Sequence, residues 1–173
     1  MRNVVFGILM TGFALLSCKS DDESLQRIDQ ILNIYMKNSA GQDLLNSQKT
    51  GSYSGYSVND LLGDKDVTPV SIPLRMTTDS IYYMEYIAGA KRKRADSTSP
   101  SNPGTGTSFY SEMQLGLRTT TNNVADTIND ILRIEYRMTP TLFQVSKVFY
   151  NKKEVFSKEA DAPNSINTVT IVK

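Results

Sequence analysis

One thiol, no imidazole and a scatter of carboxylates bound the chemistry open to this chain. Cys18 is the sole cysteine and histidine is absent, which removes the Ser-His-Asp triad, the Cys-His pair and the usual zinc ligands. Pro103-Gly104-Thr105-Gly106 comes nearest to a phosphate loop. It sits in a linker-like stretch without the following helix that Walker and Rossmann loops need. A carboxylate pair could hydrolyse glycosides without histidine; of six Glu and twelve Asp, several fall in turns and no pair is singled out. Asp60, Asp64 and Asp66 around Gly63 offer the oxygens that calcium takes. Their spacing is not that of an EF-hand, and a polar turn accounts for them more simply. No enzyme activity, metal or cofactor is expected.

Binding has better candidates. Two stretches break the regular pattern: Asn46–Gly63, rich in Gly, Ser and Tyr, and Gly89–Ser108, a Ser/Pro/Gly segment opening with Lys91-Arg92-Lys93-Arg94. Loops of this length are functional or disordered in most compact domains. Tyr53 and Tyr56 fall in the first stretch, where an aromatic has less structural reason to exist. The basic run could touch an anionic polymer or lipopolysaccharide; the plainer alternative is a solvated loop tip, open to trypsin-like cleavage. Tyr82, Tyr86 and Tyr110 sit on strand-like segments and read as packing residues.

The chain start is a separate element. Arg2 precedes an apolar run from Val4 to Leu16. That is too short for the roughly 20 residues that span a bilayer, and it reads as a signal peptide. Beyond it the sequence switches abruptly to Cys18-Lys19-Ser20-Asp21-Asp22-Glu23. Arg2 is the one basic residue before Cys18, so the remainder carries as many basic as acidic side chains. A neutral chain gives no electrostatic case for nucleic acid.

Leu15-Leu16-Ser17-Cys18 resembles the processing site of bacterial lipoproteins. The resemblance implies cleavage before Cys18 and acylation of its thiol and new amino group. Two or three chains on one residue hold far more firmly than the single marginal anchor of about 0.8 kcal/mol per methylene. Lys19, Ser20, Asp21, Asp22 and Glu23 resemble the surface-export signal of Bacteroidota lipoproteins. That implies an outer-membrane, lipid-anchored protein exposed on the cell surface, with a periplasm-facing orientation as the alternative. Asp79-Ser80-Ile81, Asp96-Ser97-Thr98 and Asp126-Thr127-Ile128 resemble the O-glycosylation motif of such exported proteins, making Ser80, Ser97 and Thr127 the acceptors implied.

Past the tether the hydrophobic period is two. Ile72, Leu74 and Met76 share one face; Phe109, Met113, Leu115 and Leu117 alternate with Tyr110, Glu112, Gln114 and Arg118. Leu132, Ile134, Tyr136 and Met138 alternate with Arg133, Glu135 and Arg137. Such alternation predicts strands with one wet face. Ile81–Ala88 is apolar on nearly both faces and suits a central strand. Ile28–Lys37 and Ile166–Val172 add strands near the two ends, and Phe143–Tyr150, Asn151-Lys152-Lys153 and Glu154–Lys158 form a predicted hairpin. Turn residues separate the runs at 38–41, 77–79, 119–123 and 139–140.

The expected architecture is all-β: an antiparallel β-sandwich of about seven or eight strands, with an eight-stranded lipocalin-like barrel as the alternative. The chain has no tryptophan, so the Gly-x-Trp opening typical of lipocalins is missing. The expected organisation is a signal peptide over 1–17, an acylated cysteine and acidic tether over 18–27, and one domain over 28–173 with a flexible loop at 89–108. The chain looks like the small β-sandwich lipoproteins of Bacteroidota. That resemblance implies a non-catalytic binding or accessory component of an envelope assembly, for glycan or nutrient capture or adhesion. Its expected contacts are the membrane and an envelope protein or glycan. The alternatives are a structural envelope-interaction protein without a small ligand, or a carboxylate-based hydrolase.

Overall fold

The computed structural model describes residues 25–95, 107–121, 124–160, 162 and 165–173. Cys18, the export signal Lys19–Glu23 and Ser97 lie outside the described residues. Eleven strands and no helix occur among those described. They are β1 (Arg27–Asp29), β2 (Leu32–Lys37), β3 (Gly55–Asp60), β4 (Leu74–Met76), β5 (Tyr82–Tyr86), β6 (Lys93–Arg94), β7 (Thr107–Thr121), β8 (Val124–Met138), β9 (Leu142–Tyr150), β10 (Lys153–Ser157) and β11 (Asn167–Val172). The fold is all-β, roughly a sandwich. Seven strands make a curled half-barrel sheet, ordered β1-β9-β8-β7-β3 with β10 also on β9 and β6 also on β7. Against it packs a mixed sheet ordered β11-β2-β5-β4.

The two-residue period drives this arrangement. On the small sheet Leu32, Ile34 and Met36 of β2, Met84 and Tyr86 of β5, and Val169 and Ile171 of β11 point inward. They meet Met113, Leu115 and Leu117 of β7, Leu132, Ile134 and Tyr136 of β8, and Val145 and Val148 of β9. Each large apolar side chain buried here contributes about 1.5–3 kcal/mol. Thr168 and Thr170 take the wet face of β11. On the outer face of the large sheet, Arg133 lies over the Tyr110 ring at 4.0 Å and pairs with Glu135 at 3.1 Å.

Four features depart from the sequence reading. Ile28–Lys37 divides at Gln30–Ile31 into β1 and β2, which serve different sheets. Both are parallel to their partners β9 and β11, because the chain crosses between layers instead of turning back. Asn46–Gly63 contains a real strand, β3, paired along its length with β7; its Gly, Ser and Tyr composition hides the inward alternation of Val58 and Asp60. Lys93-Arg94 is likewise paired with β7, not a free loop tip. Of the face shared by Ile72, Leu74 and Met76, only Ile72 is buried. The other two sit on β4, an edge strand with a neighbour on one side only.

The β9–β10 turn shows how local chemistry closes the sheet. Asn151 and Lys152 both have positive φ, 48° and 71°, as a two-residue hairpin of this hand requires. Asn151 then fastens β8: its Oδ1 accepts the Ile131 N–H at 2.8 Å and its N–H donates to the Ile131 carbonyl at 2.9 Å. Its Nδ2 donates to Asp130 at 2.6 Å.

Candidate functional site

A cleft of about 340 Å³ opens at one end of the large sheet, where β7 begins, β8 ends and β9 begins. Strand register builds it. Thr107 faces Met138 across β7 and β8, Phe109 faces Tyr136, and Met138 faces Phe143 across β8 and β9. These apolar side chains follow the inward alternation, but at this end the small sheet no longer covers them fully. Phe109 and Met138 are only half-buried. On the outer edge of β9, β1 sets Ile28 beside Phe143. Ile28 is 64% exposed and extends the apolar strip begun by the half-buried Phe109 and Met138.

Arg92 supplies the charge. Pairing of Lys93 with Tyr110 and Arg94 with Phe109 fixes the approach of the residue before them. The guanidinium lies 4.9 Å from the centroid of Tyr136 and 4.8 Å from that of Phe143. Those rings stack on each other at 5.4 Å. A cation over an aromatic face gains about 0.5–1 kcal/mol at an exposed site, and two rings hold the plane in place. One nitrogen donates to Gln30 Oε1 at 2.7 Å. No carboxylate pairs with Arg92 among the described residues, and none lines the cleft. The volume falls in the range of small-molecule sites, and so does the mixture of apolar walls with a few convergent polar groups.

Lys91 of the basic run is engaged elsewhere, while Lys93 and Arg94 are exposed on β6. Lys91 pairs with Asp64 and its backbone N–H donates to Asp60 Oδ2 at 2.6 Å. Asp60 Oδ1 accepts the Leu62 N–H at 2.9 Å. The carboxylates of Asp60 and Asp64 therefore hold a turn together, and no group of three His, Cys, Asp or Glu gathers to hold a metal among the described residues. The hydrogen bond and charge of Lys91 hold the Asp64 carboxyl below its ordinary value.

The two tyrosines of the first irregular stretch face inward. Tyr53 is 7% exposed and belongs to the core. Tyr56 lies on β3, half-buried, and donates its hydroxyl to the Ile72 carbonyl at 2.6 Å. Burial raises both phenols above their ordinary value, with the Asp130 charge adding to the effect at Tyr53. Neither lies in the cleft, so the structure does not bring them together with Arg92. Ser80 sits exposed in the β4–β5 turn with a positive φ of 59°, and Thr127 is exposed on β8.

The buried acids all serve architecture. Asp43 accepts the N–H groups of Leu45 and Tyr82 at 2.9 and 2.8 Å. Asp29 binds Lys158 Nζ at 2.6 Å and Asn167 Nδ2 at 2.8 Å. Asp130 accepts the Tyr150 hydroxyl at 2.5 Å and pairs with Lys173. Burial pushes the Asp130 carboxyl upward, but hydrogen bonds from Asn151, Lys173 and Tyr150 outweigh it and hold the group below its ordinary value. Burial, reinforced by that bond to Asp130, drives the Tyr150 phenol well above its own.

Sequence reasoning had named Arg92 through its basic neighbours but missed Phe109, Met138, Phe143, Ile28, Gln26 and Gln30 as partners. Each looks like an ordinary strand or tether residue on its own. The antiparallel register of β7, β8 and β9 and the parallel docking of β1 on β9 together gather them. Compared with known proteins, the chain matches no family model, no curated protein and no solved structure.

Proposed function

We propose that this chain is a lipid-anchored envelope protein that binds rather than catalyses. It would be displayed on the outer membrane through Cys18, as an accessory component for nutrient capture or adhesion. The observation that carries the binding half is the cleft at Arg92, a fixed cation with a neutral partner above exposed apolar walls. Among the described residues no carboxylate lines the cleft, and the buried ones elsewhere are held in structural hydrogen bonds.

The anchoring half rests on the resemblance of the first 23 residues to exported lipoproteins. An extended chain spans at most about 3.5 Å per residue, so an acylated Cys18 would lie within about 25 Å of Leu25. Gln26, the next residue, lines the cleft. The site would thus work close to the membrane. Labelled palmitate should enter the chain and be lost in Cys18→Ser, and protease added to intact cells should remove the domain. Failure of the unaltered chain to take up labelled palmitate, together with unchanged fractionation of Cys18→Ser, overturns the anchoring.

A further inference from the structure

We infer that the cleft takes an anionic amphiphile, a single oxyacid head on an apolar body, with the head on Arg92 and the body over Phe109, Met138 and Ile28. This rests on the binding reading above and names its ligand class. Three observations converge. The first is charge. Among the described residues Arg92 is the one charged group lining the cleft, and their contribution to the field there is positive.

The second is preorganisation. Guanidinium carries five donors in a planar fork suited to carboxylate, sulfate or phosphate oxygens. Stacking on Tyr136 and Phe143 holds that plane before any ligand arrives, and a group fixed in advance loses less freedom on binding. Gln30 takes one donor with a neutral oxygen. It therefore orients the fork without cancelling its charge.

The third is the wall. Phe109 and Met138 continue the core's inner face out to the cleft, where they stay half-buried. Ile28 is 64% exposed on the facing edge and Leu25 beyond it 92%. An apolar chain laid across this strip would remove surface from water at about 25 cal/mol per Å². A purely polar anion would gain nothing from it, and a neutral hydrocarbon would leave the guanidinium without a counter-charge.

The test uses the full chain in native membranes. Photoreactive dodecanoate, dodecanol and dodecylamine, each bearing a diazirine, are crosslinked separately and the labelled peptides mapped. We expect the acid to label Gln26–Gln30, Phe109 and Met138–Phe143 at least tenfold more than the alcohol or the amine. Arg92→Gln should abolish that preference. Arg133→Gln removes the cation stacked on Tyr110 of the outer face, and should leave labelling unchanged. Equal labelling of the cleft by acid and alcohol, or an acid preference that survives Arg92→Gln, overturns the anion assignment while leaving a binding cleft. Absence of label from all three probes at these peptides overturns the cleft as a site altogether. The probe comparison on the unaltered chain stands even if a variant folds poorly.

Discussion

Asp29 and Gln30 are adjacent in sequence, and each receives one cation from a distant part of the chain. Asp29 receives Lys158; both side chains are 6% exposed, and Asn167 donates to the carboxylate while accepting from the lysine at 3.2 Å. Gln30 receives Arg92, which is exposed and stacked on aromatic rings. The first pair is a full charge match sealed from water, at the point where β1 leaves the large sheet and β11 begins in the small one. The second is a charge against a neutral amide at an open mouth. A buried ammonium without a counter-ion is prohibitive, so the inner site has to be completed by the fold itself. The outer site is under no such compulsion, because water and ligands can complete it.

The inner match is the easiest to break. Lys158→Met leaves Asp29 buried without its cation, with the Asn167 amide as its remaining side-chain partner among the described residues. Removing one partner of a buried pair costs about 3–5 kcal/mol, a large share of the total stability of a domain this size. Urea unfolding should show a much lower midpoint. A loss below about 1 kcal/mol, the typical worth of a surface pair, would mean that water reaches the lysine and that the contrast between the two sites is false.

Asp130 is a second buried carboxylate, facing the other end of β9, though its lysine partner is partly exposed, and it responds to pH. Asp130→Asn should cost about 1–3 kcal/mol at neutral pH, the penalty for disturbing a buried charged hydrogen-bond group. The Asp130 carboxyl is depressed in the fold, so its contribution is complete above the ordinary value of 3.8 and is lost as pH falls below it toward the lowered value. Tyr150 runs the other way. Its phenol is raised, so its contribution holds below the ordinary value of 10.0 and is lost as pH climbs past it. Unfolding measured against pH should therefore flatten on the acid limb in Asp130→Asn and on the alkaline limb in Tyr150→Phe. Unchanged limbs in both variants would show that the cluster does not titrate with folding.

The contrast between sealed and open sites explains what could be foreseen. Strand runs such as Leu32–Met36 and Leu132–Met138 were legible because burial on one face forces a two-residue period. The β9–β10 hairpin was legible from Asn151-Lys152, whose backbone conformation is local chemistry. β3 was not, since pairing with β7 overrides the Gly and Ser content of its own segment. Nor was the split at Gln30–Ile31: β1 buries Asp29 and exposes Ile28, the reverse of the apolar-inward pattern that β2 follows, and a buried acid cannot be told from a wet-face one by its type alone. Tyr53 drew attention as a loop aromatic because composition cannot report that its loop folds back on the core. The cleft was the least visible, for it depends on Ile28, Arg92, Phe109 and Phe143 meeting from four separate strands or turns.

The smallest expected stability effect is the most informative about the open site. Gln30→Glu would give Arg92 the carboxylate it lacks, within reach of the 2.7 Å contact that the amide already makes. An exposed ion pair is worth little, so the thermal midpoint should correspond to a change of no more than about 0.5 kcal/mol. Labelling by the acid probe should nevertheless fall at least tenfold, because an internal carboxylate now occupies the guanidinium and repels a second anion. Gln30→Leu separates the causes: it removes the amide without adding charge, and the acid preference should persist. If instead Gln30→Glu raised stability by more than about 1 kcal/mol with labelling unaltered, Arg92 would be a structural cation whose natural match is simply missing. The two sites beside β1 would then differ in degree and not in purpose.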